Sequence, residues 1–137
     1  MAKVSVKIKA PPHKVWEALT TPAIIKEYLF GTQAVSDFKV GSPITYKGQW
    51  QGKEYEDKGM ILEVVREKRL ASTYWSSMGG KEDKPENYNK VTYELTEHEG
   101  GTTVTLTQDN NPDEKSREHS EKNWTMVLNK MKEVLER

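Results

Sequence analysis

Three histidines, His13, His98 and His119, are the side chains best suited to acid–base work near neutral pH. They fall on a helix start, a hairpin and a helix, with no nucleophile at short range, and each reads as a solvated surface group. The chain has no Cys, which excludes disulfides, thiolate metal sites and a cysteine nucleophile. Asp109, Asn111 and Asp113 have the spacing that opens a calcium loop. Glu114 then stands where that loop needs Gly, and Ser120 where it needs its last carboxylate, so the stretch is a helix start. Gly79-Gly80 lies in a charged loop rather than between a strand and a helix. It does not cradle phosphate and serves better as a gate. Asp37, Glu54, Glu56 and Asp57 read as surface strand positions. No catalytic residue, metal or cofactor is expected.

Binding is the chemistry that remains. Trp16, Tyr28, Trp50, Trp75, Tyr93 and Trp124 are spread over different elements and together can line one internal wall. Taken singly, such rings are usually core. Met60 and Leu128 add apolar surface, while Gln108, Ser120 and Asn123 can orient a polar group. The last helix carries the clearest pattern, an apolar stripe of Trp124, Val127 or Leu128, Met131 and Leu135. Traced backward at helical spacing, the same side meets Ser120, then Ser116 or Arg117, bordered by His119 and Asn123. Either the first turns project into water, or an apolar cavity has a polar rim suited to an amphipathic ligand. Trp124→Ala separates core from wall: about 3–5 kcal/mol for a core ring, less for one facing open space.

The elements that must position these residues are legible. Lys3 to Lys9 alternates Val4, Val6 and Ile8 with polar residues, a strand rather than a signal peptide. Pro11-Pro12 stops it and suits a helix start. Val15 and Leu19 share a helical face, and Thr21-Pro22 caps a second short helix with Ile24, Ile25, Tyr28 and Leu29. The period becomes two from residue 33 onward. Ile44, Tyr46, Gly48 and Trp50 alternate; Glu54 to Val65 is a long strand with Met60, Leu62 and Val64 expected on one face. Leu70 to Ser76 puts Tyr74 and Trp75 on opposite faces, and a polar loop follows. Val91, Tyr93 and Leu95, a turn at Glu99-Gly100-Gly101, then Val104, Leu106 and Gln108 complete a meander. Asn111-Pro112 reads as the cap of a helix reaching about Arg137, with Glu118–Lys122 and Glu133–Arg137 as supportive pairs.

The chain of 137 residues is therefore expected to form one domain over 1–137, of the α+β class. A curved antiparallel sheet of about six or seven strands wraps a long C-terminal helix, with two short helices between strands one and two. Only 34% of the residues are hydrophobic, so 4 Trp, 6 Tyr and 5 Met must supply bulk. Balanced charges, 21 basic against 21 acidic, argue against a nucleic-acid surface, and no run is long enough to span a membrane. A reducing cytoplasm suits a chain without Cys.

PPHKVWEALTTPAIIKEYL, SDFKVGSPITYKGQ, DKGMILEVVREKRLASTYW, GGTTVTLTQ and NWTMVLNKMKEVLE follow in an order that resembles the activator of 90-kDa heat-shock-protein ATPase-like family. That family lies within the START-like, birch-pollen-allergen-like superfamily of helix-grip folds. Val15-Trp16, Pro22, Gly41, Gly59, Trp75 and Trp124 fit its pattern; Tyr28 stands where Trp is usual, and Gly41-Ser42 where a Gly pair is usual. The resemblance implies a deep cavity between sheet and last helix, used across the superfamily for lipids, steroids and polyketides. The expected function is non-enzymatic binding of a small hydrophobic or amphipathic molecule. The alternatives are an interaction module meeting a chaperone partner through its outer sheet face in stress response, and an enzyme of the polyketide cyclase type using His119 or Tyr93.

Overall fold

The computed structural model describes residues 1–29, 31–50, 52–76, 82–111 and 113–136, with Trp50 placed by its backbone alone. The Trp50 side chain, the Gly79-Gly80 gate, Pro112 and Arg137 therefore lie outside the described residues. Strand β1 (Ala2–Ile8) leads into helices α1 (Pro12–Thr20) and α2 (Pro22–Tyr28). The meander is β2 (Gln33–Ser36), β3 (Pro43–Trp50), β4 (Lys53–Val65), β5 (Arg69–Tyr74), β6 (Asn89–His98) and β7 (Gly101–Gln108), and α3 (Glu114–Leu135) closes the chain. All seven strands form one antiparallel sheet in the order β1-β7-β6-β5-β4-β3-β2. This is the expected α+β arrangement, with two short helices ahead of the second strand.

Alternation decides which side chains meet α3. Ile8, Val104 and Leu106 from β1 and β7 are fully buried with Leu128 and Met131 of the helix. Val15, Leu19 and Ile25 bring α1 and α2 into the same core. Helix α3 also fastens the edge strand β1. Glu121 Oε2 accepts from the Lys3 amide at 3.0 Å and Glu136 Oε2 from the Lys9 amide at 2.9 Å, while Lys132 Nζ donates to the Lys7 carbonyl at 2.9 Å. An exposed strand edge is a template for unwanted pairing, and these contacts occupy it.

Two local expectations need correction. The cap of α3 is Asp113, whose Oδ1 accepts from the Ser116 amide at 2.7 Å; Asn111 instead accepts from the Ala2 amide at 3.0 Å. An aspartate at the cap also places negative charge at the positive helix end. In β4, Met60 and Leu62 are exposed, and the inward residue is Ile61 at 1% exposure. A register shift between Ile61 and Glu63 then reverses the parity, so Val64 packs inward while Met60 does not. One extra residue in a strand re-aims every side chain beyond it.

Candidate functional site

The parity set by Ile61 carries inward to Asp57, two pleats earlier, and Asp57 pairs across β3–β4 with Tyr46. On β5 the same face presents Ser72 and Tyr74, and on β6 it presents Val91 and Tyr93. Helix α3 crosses opposite with Trp124. Between them lies a cavity of about 590 Å³, whose lining is completed by Leu29, Thr32, Gln49, Tyr55, Ser76 and Met126. That size falls within the range of small-molecule sites.

The walls are aromatic. Tyr46 and Tyr74 meet edge to face with centroids 6.2 Å apart, Tyr74 and Trp124 at 6.4 Å, and Trp124 and Tyr93 at 6.4 Å and 87°. Edge-to-face geometry is the favourable one for such quadrupoles and fixes the rings relative to one another. Polar bonds hold them further. Tyr74 Oη donates to Asp57 Oδ2 at 2.7 Å, Trp124 Nε1 donates to Gln108 Oε1 at 2.7 Å, and the Tyr55 and Thr32 hydroxyls hydrogen-bond to each other. Gly48 faces Tyr55 across the strands; a Cβ there would lie 2.5 Å from the phenol oxygen, so glycine makes room for the ring. Burial pushes the Tyr46 and Tyr93 phenols far above the usual phenol range, and Tyr74 rises through burial and then the Asp57 charge. These rings stay neutral at physiological pH and act as hydrogen-bonding walls. A Tyr93 phenol held so high gives up its proton reluctantly, a poor acid whose basic phenolate is not formed near neutral pH, which weakens the cyclase reading at that residue.

A second, more polar hollow of about 410 Å³ lies beyond Tyr74 and Ser76, between the start of α3 and the loops before β6 and after β7. Gln108 and Ser120 face it, with Gln108 Nε2 donating to Ser120 Oγ at 3.2 Å. Of the polar half of the α3 stripe, Ser116 and Ser120 are half-buried along this hollow. His119 lines this hollow but is exposed, beside Asn123 Nδ2 at 3.2 Å.

Of the residues expected to contact a ligand, the structure brings Tyr93 and Trp124 into the cavity, with Gln108 behind the indole. Tyr28 and Leu128 are core; the Tyr28 phenol donates to the Ala18 carbonyl at 2.9 Å and ties α2 to α1. Trp16 packs partly buried against the same core. Trp75 bridges Lys58 across β4 and stacks on Tyr88 at the second hollow, with Nε1 donating to the Glu82 carbonyl at 3.1 Å. Asn123 is exposed and lines neither space, and Met60 is on the outer side at 49% exposure. Asp57, expected at the surface, is 9% exposed inside the cavity. Tyr46, Tyr55, Asp57 and Tyr74 were missed, although the alternation Ile44–Tyr46 and Leu70–Ser72–Tyr74 already aligned two of them inward. Among the described residues no group of three or more His, Asp or Glu could hold a metal ion, and no helix is long and apolar enough to cross a membrane.

Residues 9–136 match the family described as activator of Hsp90 ATPase homolog 1-like protein. Among solved structures, the chain is 52% identical to ChR145 from Cytophaga hutchinsonii, covering 98% of this chain and 92% of that one with a TM-score of 0.85. It is 26% identical to MLL2253 from Mesorhizobium loti, covering 98% and 97% with a TM-score of 0.77. The Aha1 dimer from Colwellia psychrerythraea shares the fold, with a TM-score of 0.73 at 20% identity over 98% of this chain and 94% of that one. No curated protein matches the sequence.

Proposed function

The chain belongs to the family of activator of Hsp90 ATPase homolog 1-like proteins, and on that premise we propose that it binds a small amphipathic molecule between sheet and last helix. The observation that carries this reading is the ring-walled space of about 590 Å³ against Trp124, with polar groups confined to a few fixed points. An apolar body gains by leaving water against Val91, Leu29 and the ring faces. A polar end finds the Ser72 and Ser76 hydroxyls, the Asp57 carboxylate and the Tyr74 phenol. The test is a titration with 4-phenyl-1-butanol followed by amide chemical shifts. Shifts should cluster at Tyr46, Tyr74, Tyr93 and Trp124; changes confined to the outer sheet face sink the reading.

A second reading is contact with a chaperone through the outer sheet face. Its support is family membership together with Met60 at 49%, Leu62 at 40% and Val65 at 42% exposure along the outer side of β4. Binding of purified chaperone that survives Met60→Lys and Leu62→Lys counts against that face.

A further inference from the structure

The second hollow, of about 410 Å³, shares Tyr74 and Ser76 with the ring-walled cavity, so the two spaces adjoin. A hydrogen-bond chain runs from one to the other. Trp124 Nε1 is a donor only, so its 2.7 Å bond to Gln108 Oε1 settles which end of that amide is oxygen. The amide nitrogen then donates to Ser120 Oγ at 3.2 Å, and Asn111 Nδ2 lies 3.5 Å from the same oxygen. Ser120 is thereby held as an acceptor within the fold, and its own proton remains to donate. Ser116, one turn earlier, lines the same wall half-buried. The residues at the start of β6 and just after β7 are turned the other way. Asn89 Nδ2 donates to the Asp109 and Asn110 carbonyls at 2.7 and 3.3 Å, and Asn110 Nδ2 to the Glu86 and Tyr88 carbonyls at 2.9 and 3.1 Å. Backbone carbonyls only accept, so the nitrogen end of each amide is spent on the fold and each side chain keeps its oxygen for a partner.

We infer that the two spaces together take one elongated amphiphile whose polar end is a hydroxyl-rich group of the sugar class. That group sits in the second hollow among Ser116, Ser120, Asn89 and Asn110, and the apolar body reaches past Tyr74 to the Trp124 ring. This rests on the binding reading above and deepens it by adding the headgroup subsite. The helix side of the hollow offers hydroxyl donors and the loop side offers amide oxygens, both held in place before a ligand arrives. A hydroxyl donates and accepts at once, so a ring of neighbouring hydroxyls can satisfy both sides. A carboxylate or phosphate only accepts; Lys115, exposed at the same hollow, favours it, but the Asn89 and Asn110 oxygens do not. An ammonium only donates and leaves the Ser116 and Ser120 hydroxyls without an acceptor.

The test uses three probes with one apolar body: 4-phenylbutyl β-D-glucopyranoside, 4-phenyl-1-butanol and 4-phenylbutyrate, each titrated calorimetrically at neutral pH. The alcohol ends at the Ser72 and Ser76 hydroxyls, whereas the glucoside continues past Ser76 into the hollow. The glucoside should bind about tenfold or more tightly than the alcohol, the increment of two or three net hydrogen bonds. Ser116→Leu puts apolar volume into the hollow, and there the glucoside-to-alcohol ratio should fall to near one. If that variant fails to fold, the ranking on the unaltered protein still decides. A glucoside no tighter than the alcohol overturns the inference and leaves cavity binding intact. So does a ratio unchanged in a folded Ser116→Leu protein. An acid tighter than the glucoside overturns it in favour of an anionic end at Lys115. No binding of any probe overturns both readings.

Discussion

Trp124 joins the helix to the sheet in two ways, and the two respond differently to substitution. Its ring meets Tyr74 and Tyr93 edge to face, and its N–H donates to the buried Gln108 Oε1 at 2.7 Å. Trp124→Phe keeps much of the apolar contact but leaves that acceptor without its donor, a loss of about 1–3 kcal/mol in urea unfolding. Trp124→Ala should cost less than the roughly 3–5 kcal/mol of a fully packed ring, because one side already faces open space. The phenols make a second residue-scale prediction. Burial raises Tyr28, Tyr46, Tyr74 and Tyr93 in the folded chain, whereas the unfolded chain titrates them near the ordinary value of about 10. Below about pH 10 both states hold these protons and the contribution to stability is fully present. Above about pH 10 the unfolded state sheds protons that the folded state keeps, so stability falls as pH rises. Denaturation midpoints should be insensitive to these groups from about pH 8 to 10 and decline beyond, with a shallower decline in Tyr46→Phe. Phenolate absorbance from the buried rings appearing well before the fold is lost would contradict this.

Strand β4 shows how one element controls what its neighbours can do. At Gly59 an added Cβ would lie 1.7 Å from the Thr73 carbonyl oxygen, so β4 and β5 approach there more closely than any side chain permits. Met60 N donates to the Thr73 hydroxyl at 2.8 Å in the same place. Gly59→Ala must push the strands apart and should cost about 3 kcal/mol, read as a drop in thermal midpoint. At the start of α3, Asp113→Ala removes the helix cap and should cost about 1 kcal/mol. The strands and helices were legible because their periods are long and regular: Val4–Val6–Ile8, Val91–Tyr93–Leu95 and Leu128–Met131–Leu135 allow one placement each. The floor of the cavity was not. Glu54 to Lys58 is a run of charge with one tyrosine, so nothing apolar marks which side faces in. Met60, Leu62 and Val64 suggested the wrong parity because the shift after Ile61 is invisible in a list of residue types. Strand pairing, Tyr46 opposite Asp57, supplies what composition withheld.

At the scale of the whole chain, the cavity is a place where the core was left unfilled. Ile8, Val104, Leu106, Leu128 and Met131 pack solidly along the second half of α3, while Trp124, one turn before Leu128, faces a space of about 590 Å³. Interiors normally pack to crystal-like density, so keeping such a space open sacrifices stability that a filled core would have gained. Ser72 is the side chain through which this can be tested. It sits on the inner face between Leu70 and Tyr74, opposite Val91, and lines the cavity. Ser72→Leu should put apolar volume into open space, leaving the fold unchanged or up to about 1 kcal/mol more stable. The same change should weaken 4-phenyl-1-butanol about tenfold or more by occupying its place. Ligand acts on the unaltered protein by mass action: at a hundred times Kd it adds about 2.7 kcal/mol, raising the thermal midpoint by several degrees. That rise should be largely absent in Ser72→Leu while its unliganded midpoint is no lower than before. A variant that both melts earlier and still responds fully to the alcohol would mean that the space near Ser72 is neither spare nor the binding site.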